Sequence, residues 1–267
     1  MNQMPTTPPR PLIEMEGVYK QYGTGVMAIS DMSLSIEQGQ FVSFLGPSGC
    51  GKSTALRMIA GLTEPSAGKI LVNGNEPGSA SGPNDVGFVF QEPTLMPWAN
   101  VFDNVYLPLR LSGMSRRAAT PRVEEVLAQV GLSKFATSYP RELSGGMKMR
   151  VSIARAIVTK PRLLLMDEPF AALDEMTRFK LNNDVLRLWQ DNGLTVIFVT
   201  HSVYESAYLS NRVVVMAARP GRVVADIPIP GAYPRAENFR TTPEYNQSCQ
   251  IVSDALSATL GSDAIDH

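Results

Sequence analysis

The sequence predicts an α/β protein with a mixed, mainly parallel core sheet, an N-terminal antiparallel β-subdomain and an inserted α-helical subdomain. Three observations point there. Phe41 to Leu45, Leu163 to Met166 and Thr195 to Val199 are short and almost continuously apolar, as strands buried on both faces of a parallel sheet are. Leu12 to Tyr19 and Ala28 to Ile36 instead roughly alternate apolar and polar residues, the pattern of half-buried antiparallel strands. Between residues 92 and 160 the periodicity turns helical. At 267 residues, 44% hydrophobic and 18% charged, the chain is long and apolar enough to bury a substantial core.

In chain order, MNQMPTTPPRP lacks the apolar stretch of a secretory signal and is Pro- and Thr-rich, so residues 1–11 are expected to form a flexible leader. After the strand comes GPSGCGKST, residues 46–54, and then a helix-forming run, Thr54 to Ala60. Gly46, Gly51, Lys52 and Ser53 satisfy the phosphate-loop pattern G-x-x-x-x-G-K-[ST]. Its glycines let the loop from Gly46 through Pro47, Ser48, Gly49, Cys50 and Gly51 wrap closely enough for its backbone N–H groups, which Pro47 alone lacks, to point at phosphate oxygens, and the helix behind adds positive potential. Lys52 should reach the β- and γ-phosphates, and Ser53, followed by Thr54, should offer its hydroxyl to Mg²⁺.

Further along, the run from Arg122 to Val130 places Val123, Val126, Leu127 and Val130 on one helical face, and Met147 to Thr159 forms a second helix that stops at Lys160-Pro161. The methionines here read as core filler rather than a binding surface. A helix from about Asp174 buries Leu181, Val185 and Leu188 and ends at Asn192-Gly193. Arg212 to Met216 and Arg222 to Ile227 read as a hairpin joined around Arg219-Pro220-Gly221. Beyond Pro230 the tail is polar, with one apolar-periodic stretch from Ile251 to Leu260.

The net charge of −1 and pI near 6.2 give no electrostatic footprint for wrapping a nucleic-acid backbone, so no nucleic-acid partner is expected. No apolar run approaches the ~20 residues needed to span a bilayer. Two cysteines, Cys50 and Cys249, make no disulfide framework and fit a reducing compartment. The DE pair Asp167-Glu168 and His201 lie at or just past the ends of two apolar strands, at the edge where α/β sheets bind ligands. His267, the terminal residue, has no expected role.

LSGGM at residues 143–147, upstream of RLLLMDEP at 162–169, completes an ordered set with the phosphate loop. Together they resemble the ATP-binding-cassette (ABC) ATPases. A lone phosphate loop would leave kinases and GTPases open; the guanine-reading N-K-x-D string is absent. The resemblance runs from Leu12 to about Ile229. It implies a P-loop NTPase fold of the ABC nucleotide-binding type over 12–230, its helical subdomain at about 92–160, and a short tail at 231–267.

The resemblance also implies roles. Tyr22 in KQYG would stack on the adenine of ATP, or else be a strand-edge tyrosine. Gln91 in VFQEP would sense Mg²⁺ and the attacking water, Asp167 would hold the Mg²⁺ hydration shell, and Glu168 would be the general base. His201 would contact the γ-phosphate, and Ala172-Leu173-Asp174 would touch the opposing subunit. Ser144, Gly145 and Gly146, opening a helix, would grip the γ-phosphate bound to a second copy, so two chains would sandwich two ATP molecules head to tail. The family usually has Gln where Met147 stands and often Asp where Ser202 stands; neither change removes a catalytic group.

LMPWANVFDNVYLPL (95–109) and VVVMAARPGRVV (213–224) resemble strings of the nitrate, sulfonate and taurine importer ATPases. The branch implies two transmembrane permease subunits, a periplasmic solute-binding protein as an indirect partner, and a peripheral position on the cytoplasmic face of the bacterial inner membrane. An exporter-type or non-transport ABC ATPase is the alternative. Pro97 to Phe102 would form part of a groove for a permease helix, with Trp98 either in that groove or in the core.

Overall fold

The computed structural model describes residues 11–262 apart from residues 24, 79–84, 234 and 237. Residues 1–10 of the expected leader, and His267, lie outside the described residues.

Two sheets build the frame. Strands β1 (Ile13–Gln21), β2 (Met27–Ile36) and β4 (Ala67–Val72) form an antiparallel sheet in the order β2-β1-β4. The second sheet runs β5-β6-β7-β3-β8-β9, from β5 (Val86–Val89), β6 (Leu163–Asp167), β7 (Thr195–Thr200), β3 (Phe41–Leu45), β8 (Arg212–Ala217) and β9 (Arg222–Pro228). Its first five strands are parallel, and β9 returns antiparallel as the far arm of the β8–β9 hairpin.

The continuous apolar character of β3, β6 and β7 has a direct cause. Alternate side chains enter two cores: Phe41, Leu164, Met166, Val196 and Phe198 go to one, and Val42, Phe44, Leu163, Leu165, Ile197 and Val199 to the other. The first core holds the helical segments α2 (Val101–Leu111), α3 (Arg116–Gln129), α4 (Gly145–Ile157) and α5 (Glu175–Asn192). The second holds α1 (Lys52–Ile59) and the antiparallel sheet. Each fully buried side chain of this size contributes about 1.5–3 kcal/mol, so the sheet is held from both sides.

Helix boundaries follow local capping. The Asp174 carboxylate accepts from the Thr177 amide at 2.9 Å to start α5, and Gly193, at φ 59°, ends it, as the Asn-Gly pair predicts. The helix predicted from Arg122 begins earlier, at Arg116, where the Ser115 hydroxyl accepts from the Ala118 amide. Pro121 sits inside it without ending it. In α2, Asn104 is fully buried; its Oδ1 accepts from the Met96 amide, and its Nδ2 donates to the carbonyls of Met96, Ala99 and Asn100. That ties down the 96–100 loop and leaves Trp98 77% exposed, so Trp98 is not a core residue.

The segment beyond Pro230 is more ordered than its polarity suggests. Helix α7 spans Pro243–Ser262, well beyond the apolar stretch read from sequence, and packs on α6 (Val203–Leu209) and on β8 and β9. Tyr245, Cys249 and Val252 are buried, and Tyr245 Oη donates to the Tyr204 carbonyl at 3.0 Å. Arg235, 8% exposed, lies between the rings of Tyr233 and Phe239, 4.1 and 4.0 Å from their centroids. It donates to the carbonyls of Pro230, Tyr208 and Ser210. Arg235→Ala would leave those carbonyls without their donor and empty the slot between the rings. A loss of about 2–3 kcal/mol is expected, read as a lower urea midpoint at unchanged slope.

Candidate functional site

Four parallel strands finish at one edge of the sheet, and the polar residues singled out from sequence follow those ends. Leu45 pairs with Thr200, Asp167 with Val199, and Val89 with Met166. The register therefore brings Gly46, Asp167-Glu168, His201 and the segment holding Gln91 to the same line, although they are distant in sequence. Gln91 is exposed there.

The 46–54 loop is shaped by close backbone approach. Gly51 caps α1 at φ 88°, and a Cβ there would sit 2.8 Å from the Ala28 carbonyl, so conformation and space both require glycine. A Cβ on Gly46 would run into the Met216 carbonyl. On the other side Gly221, in the β8–β9 turn, backs directly onto the carbonyls of Cys50 and Ala28. Its own carbonyl accepts from the Ser30 amide at 2.8 Å, and its amide donates to the Ala28 carbonyl at 3.1 Å. The amides at 52–54, in the first turn of α1, have no intrahelical acceptor and present an anion site. Cys50 is buried, and burial pushes its thiol up, which suits a small packing residue.

Lys52 is 5% exposed; its ammonium donates to the carbonyls of Gly46 and Pro47 at 2.8 and 3.0 Å and lies 3.8 Å from Glu168 Oε1. The Ser53 hydroxyl donates to Asp167 Oδ1 at 2.7 Å. Burial pushes the Asp167 carboxyl up, with the Ser53 hydrogen bond and the charge of Arg57 pulling the other way. A buried carboxylate beside a hydroxyl, both hard oxygen donors, fits Mg²⁺, whose charge would offset the desolvation of Asp167.

Glu168 adopts φ 45°, a left-handed conformation costing about 1–3 kcal/mol for a side chain of this kind. Its amide, donating to the Val199 carbonyl at 3.1 Å, holds it there. The result aims the carboxylate between Lys52 and His201, whose Nδ1 is 3.3 Å from Glu168 Oε2. Tyr22 Oη lies 3.4 Å from Thr54 Oγ1, with the residue 40% exposed, so an open aromatic ring stands next to the start of α1.

Ser144, Gly145 and Gly146 lie elsewhere. The Ser144 hydroxyl caps α4 by accepting from the Met147 amide at 3.3 Å. Gly146 faces Thr177, and Gly145 faces Leu173. Among the described residues, none of their hydrogen bonds reaches the 46–54 loop. Thr200 and Glu205, both buried beside His201, escaped the sequence reading; the signal for Glu205 is the Ser202-x-x-Glu205 spacing of a helix start.

Because burial raises the folded-state pKa of Asp167 above its unfolded value, stability falls as pH rises between the two, and the cost is fully present above the folded value. Asp167→Asn is expected to raise the melting temperature of the nucleotide-free protein at pH 7. The gain should shrink as pH falls below the ordinary aspartate range, which thermal scans at the two pH values would show.

The chain is similar to known proteins over most of its length. The family model described as ABC transporter matches residues 29–171. An ABC transporter ATP-binding protein of Methanocaldococcus jannaschii is 46% identical over 91% of each chain. The taurine import ATP-binding protein TauB of Rhizobium johnstonii is 47% identical over 77% of this chain and 78% of its own. An aliphatic sulfonates import ATP-binding protein, SsuB, of Bacillus licheniformis is 41% identical over 90% of this chain and 92% of its own. Among solved structures, a dimeric ATP-binding cassette in a post-hydrolysis state bound to ADP and Pi superposes with a TM-score of 0.73 at 32% identity, covering 82% of this chain and all of that one. The cbiO1 protein of Clostridium perfringens, part of an ABC transporter complex, gives 0.75 at 28% identity over 82% of this chain and 88% of that one. The chain is an ATPase of the ABC transporter family.

Proposed function

We propose that the chain is the ATP-hydrolysing subunit of a bacterial importer for a small solute of the nitrate, sulfonate and taurine class. The observation that carries the catalytic part is the row Lys52, Glu168 and His201, linked at 3.8 and 3.3 Å beside the Ser53–Asp167 pair. The solute class rests on the printed names of the taurine and sulfonate relatives.

In this reading the first-turn amides of α1 bind the phosphates, and Lys52 exchanges its contacts with the Gly46 and Pro47 carbonyls for the β- and γ-phosphate oxygens. Tyr22 stacks on the adenine. Mg²⁺, held by Ser53 and through water by Asp167 and Gln91, would neutralise charge on those phosphates. Glu168 accepts a proton from water as its oxygen bonds to the γ-phosphorus and the bond to the β–γ bridging oxygen breaks. His201 orients the γ-phosphate. Ser144, Gly145 and Gly146 serve the nucleotide of a second copy, which agrees with their separation from the phosphate loop of their own chain and with the dimeric solved relative.

No helix among the described residues is long and apolar enough to cross a membrane. We therefore assign the bilayer to two permease subunits, with the chain peripheral on the cytoplasmic side and a periplasmic solute-binding protein delivering cargo. A groove of about 530 Å³ between β5, α2 and α4, lined by Phe88, Phe90, Leu107 and Leu111, suits an apolar permease helix.

Glu168→Gln is expected to bind ATP with unchanged affinity while turnover falls by about a hundredfold or more. Light scattering should show an ATP-dependent dimer that persists in the variant; unchanged turnover would remove Glu168 from the chemistry. The head-to-tail arrangement predicts complementation. Lys52→Ala and Ser144→Arg should each abolish hydrolysis alone, and a mixture should regain part of it, because one of the two shared sites is then intact. A mixture as inactive as its components would count against shared sites.

A further inference from the structure

We propose that Glu205 is a positioning residue for the nucleotide site, one that yokes the His201 turn to the 171–174 loop so that the two shift together. The proposal rests on the role given to His201. Helix α6 opens with Ser202-x-x-Glu205, and the Ser202 hydroxyl accepts from the Glu205 amide at 3.3 Å. In the usual reciprocal cap the glutamate would turn back to the Ser202 amide. Here that amide donates instead to Thr200 Oγ1 at 3.0 Å, and the Thr200 hydroxyl donates its single proton to Glu205 Oε2 at 2.7 Å. The residues on either side of His201 thus hang on one carboxylate. Thr200 is 2% exposed and Glu205 9%, so water competes little for these bonds.

The second carboxylate oxygen points the other way. Glu205 Oε1 faces Arg178 Nε at 3.6 Å, and among the described residues neither atom has a hydrogen bond. Arg178 Nη2 donates to the Leu173 carbonyl at 3.1 Å. Leu173 lies in the loop between Glu168 and α5, the segment expected to meet a second copy. A polar path therefore runs from the His201 turn through Thr200 to Glu205, across the ion pair to Arg178, and on to Leu173. Docking of α6 does not depend on that path. Tyr245 holds the Tyr204 carbonyl, and Ala207, Tyr208 and Leu209 are buried in the apolar core.

The test is steady-state ATP hydrolysis by the full chain, with ATP affinity measured separately using a fluorescent ATP analogue. Glu205→Ala should lower kcat about tenfold or more, as expected when a catalytic group is displaced by an ångström or less, with KM for ATP within about twofold. Glu205→Gln keeps an oxygen for Thr200 and should recover most of the loss. Thr200→Val, which conserves volume, should behave like Glu205→Ala. In a His201→Ala background Glu205→Ala should bring no further loss, since it acts through that histidine. Wild-type kcat in Glu205→Ala beside an inactive His201→Ala would overturn the link alone, as would a full additional loss in the double variant. Wild-type turnover in His201→Ala would overturn the role of His201 and the link with it.

Discussion

Two-sided burial of the central strands is the constraint on which the rest of the molecule depends. With alternate side chains of β3, β6 and β7 committed to two separate apolar cores, no polar side chain can be carried within the strands without a desolvation cost. Chemistry is displaced to where the strands stop. Since the strands are parallel and in register, they stop at one edge. A phosphate loop, an acidic pair and a histidine are collected there without any of them being adjacent in sequence. An antiparallel arrangement would have divided the same residues between opposite ends of the sheet.

That edge carries stored electrostatic cost. Lys52 is almost fully buried, with backbone carbonyls as its nearest acceptors; Asp167 is penalised by burial; and Glu168 is held in a left-handed backbone conformation. For Asp167 the cost is desolvation, which a bound cation would offset. Groups oriented in advance need little rearrangement at the moment of reaction, which is the main source of electrostatic catalysis in water-poor sites. The frame that fixes them is the apolar sheet, so stability and chemistry are divided between neighbouring parts of one structure.

Much of this was legible in the residues. Strands buried on both faces announce themselves as short apolar runs, the 46–54 pattern has a mechanical reason at each of its fixed positions, and Asn192-Gly193 marks the end of α5 by conformation alone. What escaped did so for physical reasons. β4 buries only Ile70 and carries a glycine and a lysine, and β5 is four residues long; both are strands because of the neighbours they pair with. The start of α3 was hidden by Thr120-Pro121, a break by local preference that packing overrides. Helix α7 looks polar because it buries only a narrow stripe. Glu205 resembles an ordinary helix cap until its carboxylate is seen to reach Thr200.

The β8–β9 turn bears on how such chains are sorted by eye. Its Arg-Pro-Gly-Arg string resembles one recurring among importers of nitrate, sulfonates and taurine, and so reads as a label for cargo. In the folded chain Gly221 of that string is pressed against the backbone of Cys50 and Ala28 and braces the phosphate loop from behind. A string with that duty answers to the shape of the loop it supports, and its residues are accounted for without reference to any solute. What the string marks is a buttress, and a resemblance read from it is a resemblance in how the loop is propped.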